Sequence, residues 1–197
     1  IRGLEAWLDR ANAGERTLLV TPHTTGMDLG GVCLSRCYPL VSMMKRVRNP
    51  LLTWQLWSGR RRFGAQIMLR DDGIRPLVRA LVQGRAGYLM PDEDLLEGRT
   101  VFAPFFGVQT ATLSVVGRLS RLTGAKVLPM FTRRLNTGHY EVEIHPALDG
   151  FPTGDDMNDA SRVNEVFEAG IRLVPEQYLW TLQWFKNRPD SAPSPYA

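Results

Sequence analysis

Short apolar runs rich in β-branched residues alternate with longer runs of helical periodicity along nearly the whole chain. That alternation limits the fold more than any other feature of the sequence. Residues 17–21, 40–44, 66–69, 87–90, 126–131 and 140–144 read as strands, the last with a Glu/Val/Glu/Ile alternation. Residues 27–37, 51–63, 74–83, 110–122 and 158–174 read as helices. Strands interleaved with helices predict an α/β protein with a single mixed sheet flanked by helices. At 197 residues there is room for one domain with a sizeable core. No repeat or linker interrupts the chain, so residues 1–187 are expected to form that domain. Residues 188–197, rich in Pro and Ser, are expected to be an irregular tail.

Hydrophobic residues make up 44% of the chain and charged residues 22%, a balance that excludes a disordered protein. No apolar run approaches the roughly 18 residues of a membrane span, and no signal peptide opens the chain. An amphipathic helical pattern begins at Ile1 without an initiating Met, so a preceding segment, which could hold a membrane anchor, is expected. Cys33 and Cys37 are too few for a disulfide or metal framework and read as reduced, buried residues of a cytoplasmic setting. The net charge is +4, and its distribution is uneven. Between Leu29 and Arg70 stand Arg36, Lys45, Arg46, Arg48, Arg60, Arg61, Arg62 and Arg70, with no Asp or Glu among them. Such a window makes a local positive field suited to phosphate, lipid headgroups, nucleic acid or an acidic carrier protein.

Three segments carry chemistry. His23 follows the first strand and precedes a helix, the place where active groups gather in α/β proteins. Asp28, five residues on, reads either as a first-turn helix residue favoured by the dipole or as a carboxylate that folds back to fix the imidazole tautomer, leaving the other ring nitrogen as a general base. Met90-Pro91-Asp92-Glu93-Asp94 again follows a strand and reads either as a helix cap or as carboxylates set close to His23. Val101 to Gly107 places Phe102, Phe105 and Phe106 around a proline, so it is no helix interior. Its rings either fill core or line an apolar groove for a hydrocarbon chain. His139 and His145 flank the last strand and read as turn residues. Nucleotide-binding loops, the serine-hydrolase elbow and zinc spacings are all missing.

Taken in order, these pieces resemble the lysophospholipid acyltransferase superfamily, and within it the lipid A (lauroyl/myristoyl) acyltransferase branch. His23 to Asp28 is similar to its H-x-x-x-x-D/E mark, and Asn49-Pro50-Leu51 with Trp54 to its N-P-L-x-x-W. Gly59-Arg60 and Leu69-Arg70-Asp71 resemble an arginine-bearing block, Pro91 to Asp94 a P-D-x-D, and Val101 to Gly107 a V-F-V-P-F-F-G. Near the end, Pro175-Glu176-Gln177-Tyr178-Leu179-Trp180 and Phe185-Lys186-Asn187-Arg188-Pro189 resemble P-E-Q-Y-x-W and F-K-T-R-P. The sequence departs from the branch at Leu95-Leu96, at Met44-Lys45-Arg46 and at Gln183-Trp184, which bears on the acceptor rather than on the chemistry.

The resemblance implies a glycerol-phosphate-acyltransferase-like architecture and transfer of an acyl chain from acyl carrier protein, or coenzyme A, to a hydroxyl of a lipid A precursor. It places the protein at the cytoplasmic face of the bacterial inner membrane, with no cofactor, no metal and no nucleic acid partner. In this expectation His23 is the base, Asp28 holds it, and Asp92 and Asp94 lie near it. Lys45, Arg60 and Arg70 meet the anionic acceptor, and Phe102, Phe105 and Phe106 line the acyl groove. Arg46, Arg48, Arg61 and Arg62 are expected to face the membrane or the carrier. The rival readings are an acyltransferase for a glycerolipid, ornithine lipid or glycolipid, a lipid-binding homologue without turnover, and a basic nucleic-acid-binding module. The last gives no reason for His23 or the Phe-rich run.

Overall fold

The computed structural model describes residues 1–96 and 99–196. Its elements follow one another as α1 (Leu4–Asn12), β1 (Thr17–Val20), α2 (Met27–Ser35), β2 (Leu40–Met44), α3 (Pro50–Arg61) and β3 (Gln66–Leu69). Then come α4 (Arg75–Val82), β4 (Ala86–Leu89), β5 (Thr100–Phe105), β6 (Val108–Leu113), α5 (Val115–Thr123), β7 (Lys126–Arg134), β8 (Tyr140–Ile144) and α6 (Asp156–Leu173). Six strands form a sheet in the order β3-β2-β4-β1-β7-β8. All neighbours are parallel except β8, which runs antiparallel to β7 at the edge. The mixed α/β sheet read from the alternation is thus the one observed.

Alternation within the strands sends side chains to two cores. Leu18 and Val20 join Val41, Leu77, Leu119, Val127 and Phe167 on one face. Leu19 joins Trp7, Leu34, Leu40, Ile67, Leu128 and Met130 on the other. A central strand buried on both faces must be apolar at every position, as Thr17–Val20 nearly is. Helices α4, α5 and α6 cover the first face, and α1, α2 and α3 the second. Helix α2 approaches closely because it is glycine-rich where it meets the sheet: a Cβ on Gly30 would lie 2.1 Å from Thr132 Oγ1 and 2.9 Å from Met130 Cε.

One expected helix is shorter than the sequence suggested. Residues 110–113 belong to β6, which pairs with β5 in a separate antiparallel hairpin in which Phe102 faces Ala111 and Phe105 faces Val108. The alternating Thr-Ala-Thr-Leu run is strand-like, and α5 begins only after Ser114. Phe106 and Gly107 make the two-residue turn, both with positive φ (50° and 77°). The Phe106 amide donates to Glu168 Oε1 of α6 at 2.7 Å, which holds this unusual conformation. Asn164 of α6 donates to Pro104 O and Thr112 Oγ1, both at 3.1 Å, tying hairpin to helix.

The cysteines are free, but Cys33 is only half-buried and Cys37 is exposed at the end of α2, where burial was expected. Among the described residues no helix is long and apolar enough to cross a membrane.

Candidate functional site

The register of two parallel strands brings the site together. Val20 of β1 pairs with Leu89 of β4, and the Thr21 amide extends the ladder by donating to Leu89 O at 3.0 Å. His23 lies three residues beyond Val20, and Asp92 three residues beyond Leu89. Equal overhangs from paired strand ends place the two side by side. The His23 amide donates to Asp92 Oδ2 at 2.9 Å, and His23 Nδ1 lies 2.7 Å from Asp92 Oδ1. The Asp92 side chain is 1% exposed and that of His23 15%. With Nδ1 as the donor to the carboxylate, Nε2 is left as the basic nitrogen.

Burial on its own lowers the pKa of His23. The charge of Asp92 and its hydrogen bond outweigh that effect, Glu93 adds to them and Arg70 opposes, so the net shift is upward from 6.5.

A third group completes the arrangement. Tyr178 is buried and donates its hydroxyl to Asp92 Oδ2 at 3.0 Å. Burial and the Asp92 charge both raise its pKa, so it stays protonated and remains a donor. The segment carrying it is laced to the histidine loop: Leu179 N–H donates to His23 O at 3.0 Å, and Thr25 N–H to Gln177 O at 2.9 Å. Trp184, fully buried, stacks on Tyr178 at 5.0 Å and packs against the imidazole at 5.6 Å.

His23 opens on a cavity of about 490 Å³, within the usual ~300–1,000 Å³ range of small-molecule sites. Four of the chain's seven methionines, Met27, Met43, Met44 and Met90, line it with Leu56, Ile74 and Leu113. Flexible thioethers suit a wall that must adapt to a ligand. Lys45, Arg60 and Arg70 line the same cavity, so the structure brings these three sequence-chosen cations together with His23. Arg70 is bound to Glu93 at 2.6 Å, while its Nη1 is buried with no partner among the described residues. A buried donor in that state costs roughly 1–3 kcal/mol, a penalty that an acceptor on a ligand would relieve.

Several expectations need correction. Asp28 does not hold His23: in the first turn of α2 its carboxylate is gripped by Arg60 of α3, with Nε to Oδ1 at 2.7 Å and Nη2 to Oδ2 at 3.2 Å. Arg60 is therefore paired within the protein rather than reserved for a ligand. Asp94 is occupied at the other end of the molecule's C-terminal segment, accepting from the Asn187 amide at 3.0 Å and from Asn187 Nδ2 at 2.7 Å. Phe102, Phe105 and Phe106 are absent from the cavity wall. Phe105 is buried against Phe106, Phe185 and Tyr178, at ring distances of 4.8, 6.1 and 6.2 Å. Phe106 packs on Trp180 beneath the Arg172 guanidinium. Phe102 lies in β5 opposite Ala111. The hairpin turns Phe105 and Phe106 toward α6 and the C-terminal aromatic residues, which is why these two join the core, while Phe102 stays half-buried on the other face of β5.

The sequence reading missed Tyr178, Trp184 and two cavity cations, Arg99 and Arg118. The recurrence of Tyr178 within an ordered motif far along the chain was the available signal. Arg99 and Arg118 stand in no motif and reach the cavity only through the fold.

Fold and site together define an α/β protein with a histidine–carboxylate centre at the carboxyl ends of a parallel sheet, beside an apolar cavity with a cationic rim. Comparison with known proteins gives this class a family. The chain belongs to the bacterial lipid A biosynthesis acyltransferases, whose family profile matches residues 1–187. It is 39% identical over 193 residues to a lipid A biosynthesis acyltransferase of Haemophilus influenzae, covering 95% of this chain and 59% of that protein. It is 31% identical over 202 residues to the lipid A biosynthesis myristoyltransferase of Escherichia coli, covering 99% and 61%. With the lauroyltransferase of the same organism it shares 34% over 181 residues, covering 91% and 59%. The chain spans about three fifths of the length of these relatives.

Proposed function

We propose that this chain is the catalytic part of an acyltransferase that moves a fatty acyl group from a thioester, on acyl carrier protein or coenzyme A, to a hydroxyl of a lipid A precursor. The observation that carries the reading is His23: a cavity-lining imidazole whose Nδ1 is held by a buried carboxylate, next to an apolar wall and several cations. Nε2 of His23 takes the proton of the acceptor hydroxyl as its oxygen attacks the thioester carbonyl carbon. The C–S bond then breaks, and the departing thiolate recovers the proton. Asp92 fixes the tautomer and stabilises the imidazolium between the two transfers. Tyr178 fixes Asp92.

The apolar wall takes the acyl chain, each buried methylene contributing about 0.8 kcal/mol. Arg70, through its unpartnered Nη1, and Lys45 meet the anionic part of the acceptor. Arg60 contributes by holding Asp28, which locks α2 to α3 at the cavity edge. The reaction belongs at the cytoplasmic face of the inner membrane, where an acyl carrier and a lipid acceptor meet. The relatives' names, all of lipid A acyltransferases, favour this acceptor over a glycerolipid, ornithine lipid or glycolipid.

The test is transfer of labelled acyl groups from carrier protein and from coenzyme A, in parallel, to a lipid A precursor, with the product identified by mass spectrometry. The protein should yield acylated precursor, and His23→Ala should lose about 10²–10⁴-fold in rate. Unchanged transfer by His23→Ala overturns the mechanism. Lipid binding without turnover of either donor overturns the enzymatic reading.

A further inference from the structure

Helix α3 stands apart from the other helices because none of its twelve residues is buried. Its inner side, Leu56 and Trp57, packs partly against the sheet, and Arg60 reaches Asp28. The outer side of its first turns is apolar and open to solvent: Leu51 is 66% exposed, Leu52 49% and Trp54 65%, with Val47 just before the helix at 40%. Contiguous exposed apolar side chains on one helix end call for a covering partner.

The charge around this patch says which partner fits. Arg46, Arg48, Arg61 and Arg62 are all exposed and flank it on both sides. None of the four makes an ion pair among the described residues, and no acid occurs between Leu29 and Arg70. Arg61 lies over the Trp57 ring at 5.7 Å and Arg62 over Phe63 at 5.5 Å, arrangements that keep guanidinium groups beside apolar surface. The cavity opens next to this segment, since Val47, Leu56 and Arg60 line it.

We infer that α3 is an interfacial helix, whose outer face enters the headgroup layer of an anionic membrane and sets the mouth of the cavity against the lipid surface. Leu51, Leu52, Trp54 and Val47 supply the apolar insertion, and the arginines bind lipid phosphates. An acidic protein would satisfy the arginines but leaves no reason for the four exposed apolar side chains. The inference rests on the proposal that the site handles a lipid. Its test does not require turnover, so the two can fail separately.

The test measures partitioning of the protein onto vesicles of phosphatidylcholine with and without phosphatidylglycerol. Leu51→Glu with Leu52→Glu should weaken binding to anionic vesicles by roughly tenfold or more. The circular dichroism spectrum and the transfer rate on detergent-dispersed acceptor should be unchanged. Brominated lipid should quench tryptophan fluorescence, and Trp54→Phe should remove most of that quenching while partitioning persists. Raised salt should weaken binding as the arginine contribution is screened. Equal partitioning of the double variant and the parent overturns the inference, as does an absence of quenching. Sedimentation showing that the patch joins two copies of the chain, or another segment of the protein covering it, overturns it as well.

Discussion

Burial alone would make His23 a poorer base than free imidazole, and Asp92 reverses that outcome. The folded pKa is raised above 6.5, so the stability contributed by the pair is fully present below about pH 6.5 and is lost as pH rises through the folded pKa. Asp92→Asn should therefore lower the melting temperature more at pH 5.5 than at pH 8.5, a comparison that thermal denaturation at the two pH values would make. A second consequence concerns Tyr178. Its hydroxyl reaches the reaction only through Asp92, so Tyr178→Phe should keep the fold and reduce kcat by about tenfold, the worth of one hydrogen bond of roughly 1–1.5 kcal/mol. KM should hardly move. A change in KM alone would assign Tyr178 to packing. At this scale the sequence singled out His23 and Asp92 as candidates but gave His23 the wrong contact, Asp28 in place of Asp92. Asp28 is near in sequence, but a helix carries it toward Arg60, whereas Asp92 is near because two strands share a register. Sequence distance was the wrong guide, and counting residues beyond each strand end would have been the better one.

Among the elements, the strands were the most legible. Leu40–Met44, Gln66–Leu69 and Tyr140–Ile144 have the limits read from the sequence, the first two from apolar runs covered by helices and the last, at the sheet edge, from its alternation of buried and open positions. The β5–β6 hairpin was less so. Its turn places a phenylalanine at positive φ, where Asn or Gly is the usual signal, and only the Glu168 contact from a distant helix accounts for it. Of the two readings of the Phe-rich run, the hairpin favours core over groove for Phe105 and Phe106. Helix α2 offers a direct test of how the histidine loop is seated. Gly30→Ala would push a methyl into Thr132 and Met130, so it should destabilise the fold by about 1–3 kcal/mol. In a protein of this size that is a fall of some 2–4 °C in Tm for each kcal/mol, which calorimetry would resolve. An unchanged Tm would mean that α2 is free to lift from the sheet.

At the scale of the whole molecule, one cavity collects side chains from β2, α3, α4, the end of β4 and the start of α5. No local sequence pattern announces such a wall, since its members are separated by whole elements and meet only when the sheet forms. If it holds the acyl chain, narrowing it should select shorter donors. Ile74→Trp should raise KM for long-chain donors more than for short ones, measured by competition between donors of different length. Equal effects on all lengths would place the chain elsewhere.

The central claim, that His23 works as a base held by Asp92, is tested most directly by the pH dependence of kcat/KM for acyl transfer in the parent, Asp92→Asn and Asp28→Asn. The parent should show an acidic limb with an apparent pKa above 6.5. Asp92→Asn should move that limb to lower pH and lower the plateau by about 10²–10⁴-fold, because the imidazole loses both its charge partner and its tautomer. Asp28→Asn should leave the limb in place, whatever it does to the plateau. A limb that shifts with Asp28→Asn and stays put with Asp92→Asn would contradict the account.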